Sequence, residues 1–211
     1  MEPSENAQKY FKRYNKEKRT FAALQEQTET TTKEREYLQV LLHTLSTCRD
    51  EADIEQIREE LAESGYAKKR KKAAAKPPKA HLLRYVSSDG ADIFVGKNNK
   101  QNDELTLRLA DNRDVWLHVK DIPGSHVLIK TGGGVPSDTA LTEAAQLAAY
   151  YSKAKGGSNV PVDYTLRKNV RKPSGAKPGM VIYDNHRTLF VTPDEEVVKG
   201  LEPKNYIDRK F

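Results

Sequence analysis

The most constraining feature of this 211-residue sequence is the stretch from residue 5 to residue 48, which lacks glycine and proline and carries a seven-residue repeat. Apolar residues that recur at two positions of a heptad predict a coiled-coil helix. One seam position holds Ala7, Tyr14, Phe21, Thr28, Arg35 and Leu42, and the other holds Tyr10, Glu17, Leu24, Thr31, Leu38 and Leu45. Eight of these twelve residues are apolar, and the middle of the seam is polar. The stretch therefore predicts one helix of roughly 40 residues, about 60 Å long.

A second, shorter helix is predicted to follow the long one. Ile54, Ile57 and Leu61 share one helical face, Asp53 can cap its start, and Gly65 can end it. A helix of about 12 residues cannot cover a seam of about 60 Å. We therefore expect the seam to find its partner in another copy of the chain, or in a part of a longer protein that this chain lacks.

A basic tract, KKRKKAAAKPPK, occupies residues 68 to 79. It holds seven Lys or Arg and no acidic residue, and the whole chain has a net charge of +6. Its two prolines end any helix there. The tract is typical of a solvated linker, and it also suits an extended arm that neutralises phosphates; the two interpretations are compatible. The sequence thus predicts a coiled-coil arm over residues 1–67, a basic linker over 68–79 and a separate domain over 80–211.

The pattern of the last part changes from helical to strand periodicity. Two short apolar runs, 83–86 and 93–95, flank the turn residues Ser88-Asp89-Gly90, which indicates a hairpin. Residues 99–110 predict a short helix, and an amphipathic helix starts at Ser137 or Asp138. A strand near 162–166 and a hairpin that turns at Asp184-Asn185 follow. We predict an α+β fold: the long coiled-coil helix and a short second helix, then a mostly antiparallel sheet with two helices.

The run DVWLHVKDIPGSHVLIK, residues 114–130, contains the only Trp of the chain. With a loop over residues 121–125 and a type II turn at Pro123-Gly124, strand alternation separates two faces. The expected core face holds Val115, Leu117, Val119, Val127 and Ile129. The other face holds Trp116, His118, Lys120, His126, Leu128 and Lys130. If that face is open, Trp116, His118 and His126 suit stacking on bases and contacts with phosphate or ribose; if a helix covers it, Trp116 is part of the core.

Metal and nucleophile chemistry find little support in the sequence. His118, His126 and Asp121 are too few ligands for a structural zinc site, and Cys48 alone cannot form an intramolecular disulfide. Ser125 lacks a G-x-S-x-G context, and the glycines of TGGGVPSD (131–138) lack the G-K-[ST] ending of a P-loop. We therefore expect a protein without metal, cofactor or catalytic residues. One cysteine, no apolar run near 18 residues and no signal-peptide pattern together favour the cytosol.

The segment LRKNVRKPSGAKPG, residues 166–179, indicates a polyanionic partner most directly. It contains five cations and no acid, and its glycines and prolines favour an exposed loop. Such a loop either contacts phosphates or is simply solvated. Our candidate RNA-contacting residues are Arg167, Lys168, Arg171, Lys172 and Lys177 on phosphates, Trp116, His118 and His126 near bases or ribose, and Lys97, Asn98 and Asn99 as polar neighbours.

Several stretches together resemble the NFACT family, which includes RqcH-like and NEMF-like proteins. IFVGKNNKQNDELT, DVWLHVKDIPGSHVLI, EAAQLAAYYSKAKGG and VRKPSGAKPGMVIY are similar to its C-terminal NFACT-R domain, with the specific motifs W-x-H-x4-PGSH and KPxGAxPG. PSENAQKYFKRYNKEKR and IREELAESGY resemble its middle coiled coil. The resemblance covers nearly the whole chain. It also implies an N-terminal NFACT-N domain and a helix-hairpin-helix domain that this chain lacks, so we expect the chain to be the C-terminal half of a longer protein.

The resemblance implies two functions. RqcH-like members bind the stalled large ribosomal subunit and recruit tRNA, so that C-terminal alanine tails mark the nascent chain for degradation; the peptide transfer is the chemistry of the ribosome. The implied partners are the large subunit, rRNA, tRNA and the missing N-terminal half. Similar proteins of Gram-positive bacteria are also described as adhesins that bind fibronectin or fibrinogen and reach the cell surface without a signal peptide. The basic loops and the cytosolic features favour the RNA interpretation, and the adhesin interpretation stays open.

Overall fold

The computed structural model of the chain describes residues 2–48, 51–68, 82–201 and 204–205. The chain forms two compact units, Met1–Gln39 and Val40–Phe211. Apart from Lys68, the predicted basic linker lies outside the described residues. The division into residues 1–67, 68–79 and 80–211 accordingly stays a prediction.

The predicted long helix is α1, Pro3–Thr47, with 45 residues. Its seam side chains are exposed in the first unit: Tyr14 is 58% exposed, Phe21 64% and Leu24 55%. An uncovered seam with heptad spacing has the apolar surface that a second helix needs for coiled-coil packing.

The short second helix is α2, Glu51–Glu63, followed by Gly65 with a positive φ of 84°. A left-handed glycine after the last turn is a common helix end, as predicted. The buried face of α2 differs from the prediction, because Ile54 is exposed whereas Asp53 and Glu60 are buried beside Ile57. Asp53 lies within the first turn of the helix and does not precede it as a cap.

The rest of the second unit is an α+β domain, as the sequence predicts. In chain order its elements are β1 (Leu83–Val86), β2 (Asp92–Val95), α3 (Asn99–Glu104), a π-helical turn (Leu105–Leu109), β3 (Val115–Val119), β4 (Val127–Lys130), α4 (Asp138–Tyr150), β5 (Val160–Leu166), a 3-10 turn (Arg167–Asn169), β6 (Val170–Arg171), β7 (Ile182–Tyr183), β8 (Arg187–Val191), α5 (Glu195–Gly200) and β9 (Lys204–Asn205). The short helix α5 was not predicted.

The main sheet has the strand order β8-β5-β3-β4-β2-β1-β9, and its neighbouring strands pair antiparallel. Strands β6 and β7 form a separate two-stranded hairpin. Strand β3, which carries the tryptophan, lies between β4 and β5 and therefore in the interior of the sheet.

One side of the sheet packs on α4, and we call it the α4 face. Val115, Leu117 and Val119 of β3 are buried there with Ala144, Leu147 and Ala148 of α4. Val127 and Ile129 of β4 join the same cluster, so the predicted core face is confirmed. Five apolar side chains that alternate along two strands require a single apolar cover, and the amphipathic α4 supplies it.

The other side, which we call the opposite face, carries a smaller core. Trp116 and Leu128 pack there with Phe94, Leu82, Leu105 and Val170. The cover consists of the π-helical turn and the β6–β7 hairpin, from which Leu109, Val181 and Tyr183 contact the cluster. A π-helical turn is rare and is frequent at functional sites.

The turn between β3 and β4 differs from the predicted type II turn. The positive φ belongs to Asp121, at 53°, and not to Gly124. Gly124 instead pairs with Ser152 after α4, where a Cβ atom would lie 2.8 Å from the Ser152 Cβ. The glycine of the PGSH motif is thus required by close packing. The predicted loop over residues 121–125 would pair Trp116 with Lys130, whereas Trp116 pairs with Leu128 in the structure. A shift of two residues keeps every side chain on its predicted face of the sheet.

Candidate nucleic-acid interface

The indole of Trp116 lies at the centre of the opposite face and is fully buried. Its Nε1 donates to the hydroxyl of Thr106 at 3.2 Å, and the same hydroxyl lies 2.7 Å from Nδ1 of His126. His126 is 2% exposed, and its backbone N–H donates to the side chain of Asn102. Trp116 and His126 therefore do not present their rings to solvent in this structure: Trp116 is part of the core, as in the alternative of a covered face, but the cover is a π-helical turn and a hairpin and not the expected helix.

His118 is the only one of the three predicted aromatic contacts that is half-buried rather than buried. Its ring stacks on Trp116 with centroids 5.8 Å apart and meets His126 edge-on at 5.4 Å. Burial lowers the pKa of His126 well below its ordinary value, and the neighbouring His118 lowers it further. Burial also lowers the pKa of His118, although the Gly124 carbonyl and the Asp163 carboxylate oppose the effect. Both imidazoles are therefore neutral at pH 7 and supply no charge for a phosphate.

Asp163 of β5 is a buried carboxylate beside His118. Its Oδ1 accepts from the Thr188 hydroxyl at 2.6 Å, and its Oδ2 accepts from the Tyr183 hydroxyl at 2.9 Å. His186 Nε2 lies 3.7 Å from the same Oδ2. Burial and the bond to Asp163 raise the pKa of Tyr183, so the phenol stays protonated and donates. A buried carboxylate with two hydroxyl donors is a stable anchor for the β6–β7 hairpin.

The basic loop, residues 166–179, is tied down at several points. Arg167 Nε donates to the Thr106 carbonyl at 2.7 Å, so this predicted phosphate contact supports the structure of the domain. Lys172 pairs with Asp103, and the backbone N–H of Gly179 donates to the same carboxylate at 3.1 Å. Lys177 donates to the Tyr66 hydroxyl at 2.8 Å.

Two cations of the basic loop point into solvent. Lys168 is exposed, and its backbone N–H is held by the Asn112 carbonyl at 3.1 Å. Arg171 is exposed and pairs with Asp184 across the β6–β7 hairpin, where both side chains are more than half exposed. Exposed ion pairs are weak, so Arg171 can exchange Asp184 for a phosphate at little cost. Of the five predicted cations, Lys168 and Arg171 are the two that are exposed.

The predicted polar neighbours Lys97, Asn98 and Asn99 hold α2 against the domain. Lys97 Nζ lies 2.6 Å from the Asp53 carboxylate, Asn98 donates to Gln56 at 2.7 Å, and Asn99 donates to Glu60 at 2.9 Å. Asn98 and Asn99 are 1% and 2% exposed. The acidic face of α2 covers these two amides, so in this structure they are not exposed as polar neighbours of the predicted RNA contacts.

One residue that the sequence analysis missed lies on the open part of the opposite face. Phe190 of β8 is 60% exposed, although its neighbours Leu189 and Val191 pack in the core on the α4 face. Alternation in RTLFV places Phe190 on the opposite face, the signal that could have identified it.

Among the described residues, no group of three or more His, Cys, Asp or Glu is arranged to hold a metal ion. Within the same part of the chain, no helix is long and apolar enough to cross a membrane.

Two family models match consecutive parts of the chain. Residues 1–80 match the NFACT N-terminal and middle domains, and residues 81–185 match the NFACT protein RNA binding domain. The second match contains β3, β4 and the basic loop.

Curated relatives agree with the family models. The chain is 49% identical over 203 residues to the Rqc2 homolog RqcH of Bacillus subtilis, covering 95% of this chain and 35% of that protein. It is 45% identical over 204 residues to the Rqc2 homolog RqcH of Streptococcus suis, covering 96% of this chain and 36% of that protein. The chain thus spans about a third of the length of these relatives.

A solved structure shares the fold. The C-terminal part of the fibronectin/fibrinogen-binding protein from Streptococcus suis superimposes with a TM-score of 0.84 at 44% identity. The match covers 96% of this chain and 80% of that structure.

Proposed function

The chain belongs to the NFACT family, and from that premise we propose that it is the RNA-contacting part of a ribosome quality-control factor. The second unit supplies the RNA contact, through the basic loop and the adjacent opposite face of the sheet. This function needs no catalytic group in the chain, because the ribosome carries out the peptide transfer. The proposed function takes place in the cytoplasm.

The observation that carries this proposal is the combination of anchored and exposed cations in the basic loop. Arg167 and Lys172 hold the loop through Thr106 and Asp103, while Lys168 and Arg171 stay exposed. A loop that is ordered before binding loses less conformational entropy when it meets RNA. Cations held outward by such a loop are suited to phosphates of a structured RNA.

In finer detail, we propose that the RNA is rRNA of the stalled large subunit together with tRNA, in support of alanine tailing of the nascent chain. Relatives named as Rqc2 homologs support this assignment, as does the match to an RNA binding domain. The long helix α1, with its exposed seam, would extend the contact to a further partner surface.

The salt dependence of RNA binding tests the role of the exposed cations. Each phosphate contact to single-stranded nucleic acid adds about 0.7 to the slope of log affinity against log salt. We expect the double variant Lys168→Gln, Arg171→Gln to lower that slope by about 1.4 relative to the unchanged chain. Fluorescence anisotropy of a labelled RNA, titrated at several salt concentrations, measures both slopes.

The matched control is Lys199→Gln on α5, which removes a cation that is 72% exposed and lies outside the basic loop. It should leave the slope unchanged. RNA affinity that is unmeasurable at low salt would contradict the proposed function. An equal slope in the double variant would show that other residues contact the phosphates.

Binding to host fibronectin or fibrinogen is a second candidate function, supported by the structural match to the Streptococcus suis protein. It predicts saturable binding to immobilised fibronectin or fibrinogen at physiological salt. Binding that disappears at that salt would identify unspecific charge attraction and remove this candidate.

A further inference from the structure

The opposite face of the sheet has one covered part and one open part. Strand pairing places Thr188, Asp163 and His118 side by side in one row across β8, β5 and β3. The next row contains Phe190 paired with Pro161, and the Lys120 backbone N–H donates to the Pro161 carbonyl at 2.9 Å. Alternation puts Phe190, Pro161 and Lys120 on the same face as Asp163 and His118.

The rows become more exposed with distance from the β6–β7 hairpin. Trp116 is fully buried, Asp163 is 1% exposed, and Phe190 is 60% exposed. His118, Pro161 and Lys120 are half-buried. We call this open part the step: Phe190 and Pro161 form its floor, in the row next to Asp163, and the β6–β7 hairpin, whose Tyr183 binds Asp163, forms its wall.

The wall of this step is aromatic and fixed in position. Tyr183 and His186 meet edge-on with ring centroids 5.3 Å apart, and the Asp163 carboxylate binds the Tyr183 hydroxyl at 2.9 Å. Asp121 lies close enough to affect the pKa of both Tyr183 and His118. The step thus combines an exposed aromatic ring, a second aromatic surface at an angle and one exposed carboxylate, Asp121, because the Asp163 carboxylate is buried and already holds Tyr183 and Thr188.

Two cations belong to the segments that form the step. Lys120 directly follows β3 at the end of the outer row, and Arg171 pairs with Asp184 in the hairpin that forms the wall. The step is therefore continuous with the basic loop for which we propose phosphate contacts. Proteins bind unpaired nucleotides with an aromatic ring that stacks on the base, an acceptor for base N–H groups and nearby cations for the phosphates.

We propose that this step, formed by Phe190, Pro161, Lys120, His118, Tyr183 and His186, is a stacking site for an unpaired RNA base. The base lies on the Phe190 ring, and its phosphates face Lys120 and Arg171. The inference rests on the proposed RNA-binding function and deepens it, because it separates a base-contacting site from the phosphate contacts of the basic loop.

Phe190→Ala tests the site in the full chain. Stacking of one base on an aromatic ring is worth enough that its loss should lower affinity for single-stranded RNA of about 12 nucleotides by roughly tenfold. The slope of affinity against salt should stay the same, because no charge is removed. Affinity for a duplex of the same sequence should not change, since its bases are already stacked.

Phe190→Trp provides an independent readout. The new indole is exposed while Trp116 is buried, so base stacking should quench the added fluorescence and leave the Trp116 emission as a constant background. Val135→Ala, which shortens an apolar side chain that is 95% exposed in another loop, serves as the control and should bind RNA like the unchanged chain.

The outcomes separate this site from the broader function. If the unchanged chain binds RNA but Phe190→Ala binds equally well and Phe190→Trp is not quenched, the stacking site is overturned and the proposed function stands. If the unchanged chain binds no RNA, both are overturned. A tenfold loss at constant salt slope, together with quenching, supports the site.

Discussion

The hydroxyl group of Thr106 connects two buried aromatic side chains. It accepts from Trp116 Nε1 at 3.2 Å and lies 2.7 Å from His126 Nδ1, and Thr106 is fully buried. Buried polar groups are stable only when paired, so this single hydroxyl allows an indole and a neutral imidazole to lie in the core of the opposite face. The motif residues Trp116 and His126 are thus buried beneath the proposed site and are not exposed on its surface.

Thr106→Val should destabilise the chain, because valine has nearly the same shape but leaves the buried indole N–H and imidazole nitrogen without a partner. We expect the free energy of unfolding to fall by about 2 kcal/mol. Urea denaturation followed by circular dichroism measures the change. Thr139→Val on the exposed side of α4 is the control, with an expected change within about 0.5 kcal/mol. Equal stability of both variants would contradict the role of the hydroxyl.

Polar side chains hold helix α2 against helix α3 and the residues just before it. Asp53, Gln56 and Glu60 of α2 meet the segment that starts with Lys97. Gln101 donates to both Asp53 and Gln56, at 2.9 Å and 3.1 Å. The carboxylate of Asp53 is buried in this interface, and Lys97 and Gln101 together offset the cost of burying its charge.

Lys97→Met should loosen α2, because among the described residues it leaves the buried Asp53 carboxylate with the Gln101 amide as its side-chain donor. Removing one partner of a buried pair costs about 3 kcal/mol. Hydrogen exchange should show loss of protection in α2 while β3 keeps its protection. The control Lys100→Met removes the same side chain three residues away, but its partners Glu59 and Glu63 are about half exposed. We expect that loss to be below about 1 kcal/mol; similar exchange in the two variants would count against the buried pair.

At the scale of the whole molecule, the two compact units differ in how much apolar surface they bury. Most side chains of residues 2–36 are exposed, whereas the sheet unit has a core on each face. Local opening requires little free energy where few apolar contacts are broken. The helical unit and the sheet unit should therefore differ in local stability.

Hydrogen exchange of the whole chain should show this difference. Amides of residues 2–36 should exchange through local opening, whereas those of β3, in the interior of the sheet, should exchange only on global unfolding. The experiment is run at two protein concentrations. Protection of residues 2–36 that equals that of β3 at the lower concentration would contradict the expectation. Protection that rises with concentration would indicate that the exposed seam pairs with a second copy.

Local patterns in the sequence determined most of the fold. The heptad repeat predicted α1, the alternation in DVWLHVKDIPGSHVLIK predicted the buried set Val115, Leu117, Val119, Val127 and Ile129, and Ser88-Asp89-Gly90 predicted the first hairpin. These features depend on neighbours within a few positions, because helix and strand periodicity is set by the backbone itself.

Only the tertiary structure decided which face of the sheet is buried and which cations of the basic loop are exposed. Lys172 pairs with Asp103 and Arg167 with the Thr106 carbonyl, over separations of 69 and 61 residues that no local pattern reveals. The cover over Trp116 comes from a π-helical turn and a distant hairpin. DVWLHVKDIPGSHVLIK therefore determines two alternating faces by itself, while long-range packing leaves Phe190 rather than Trp116 exposed, because burial depends on which segments cover a face.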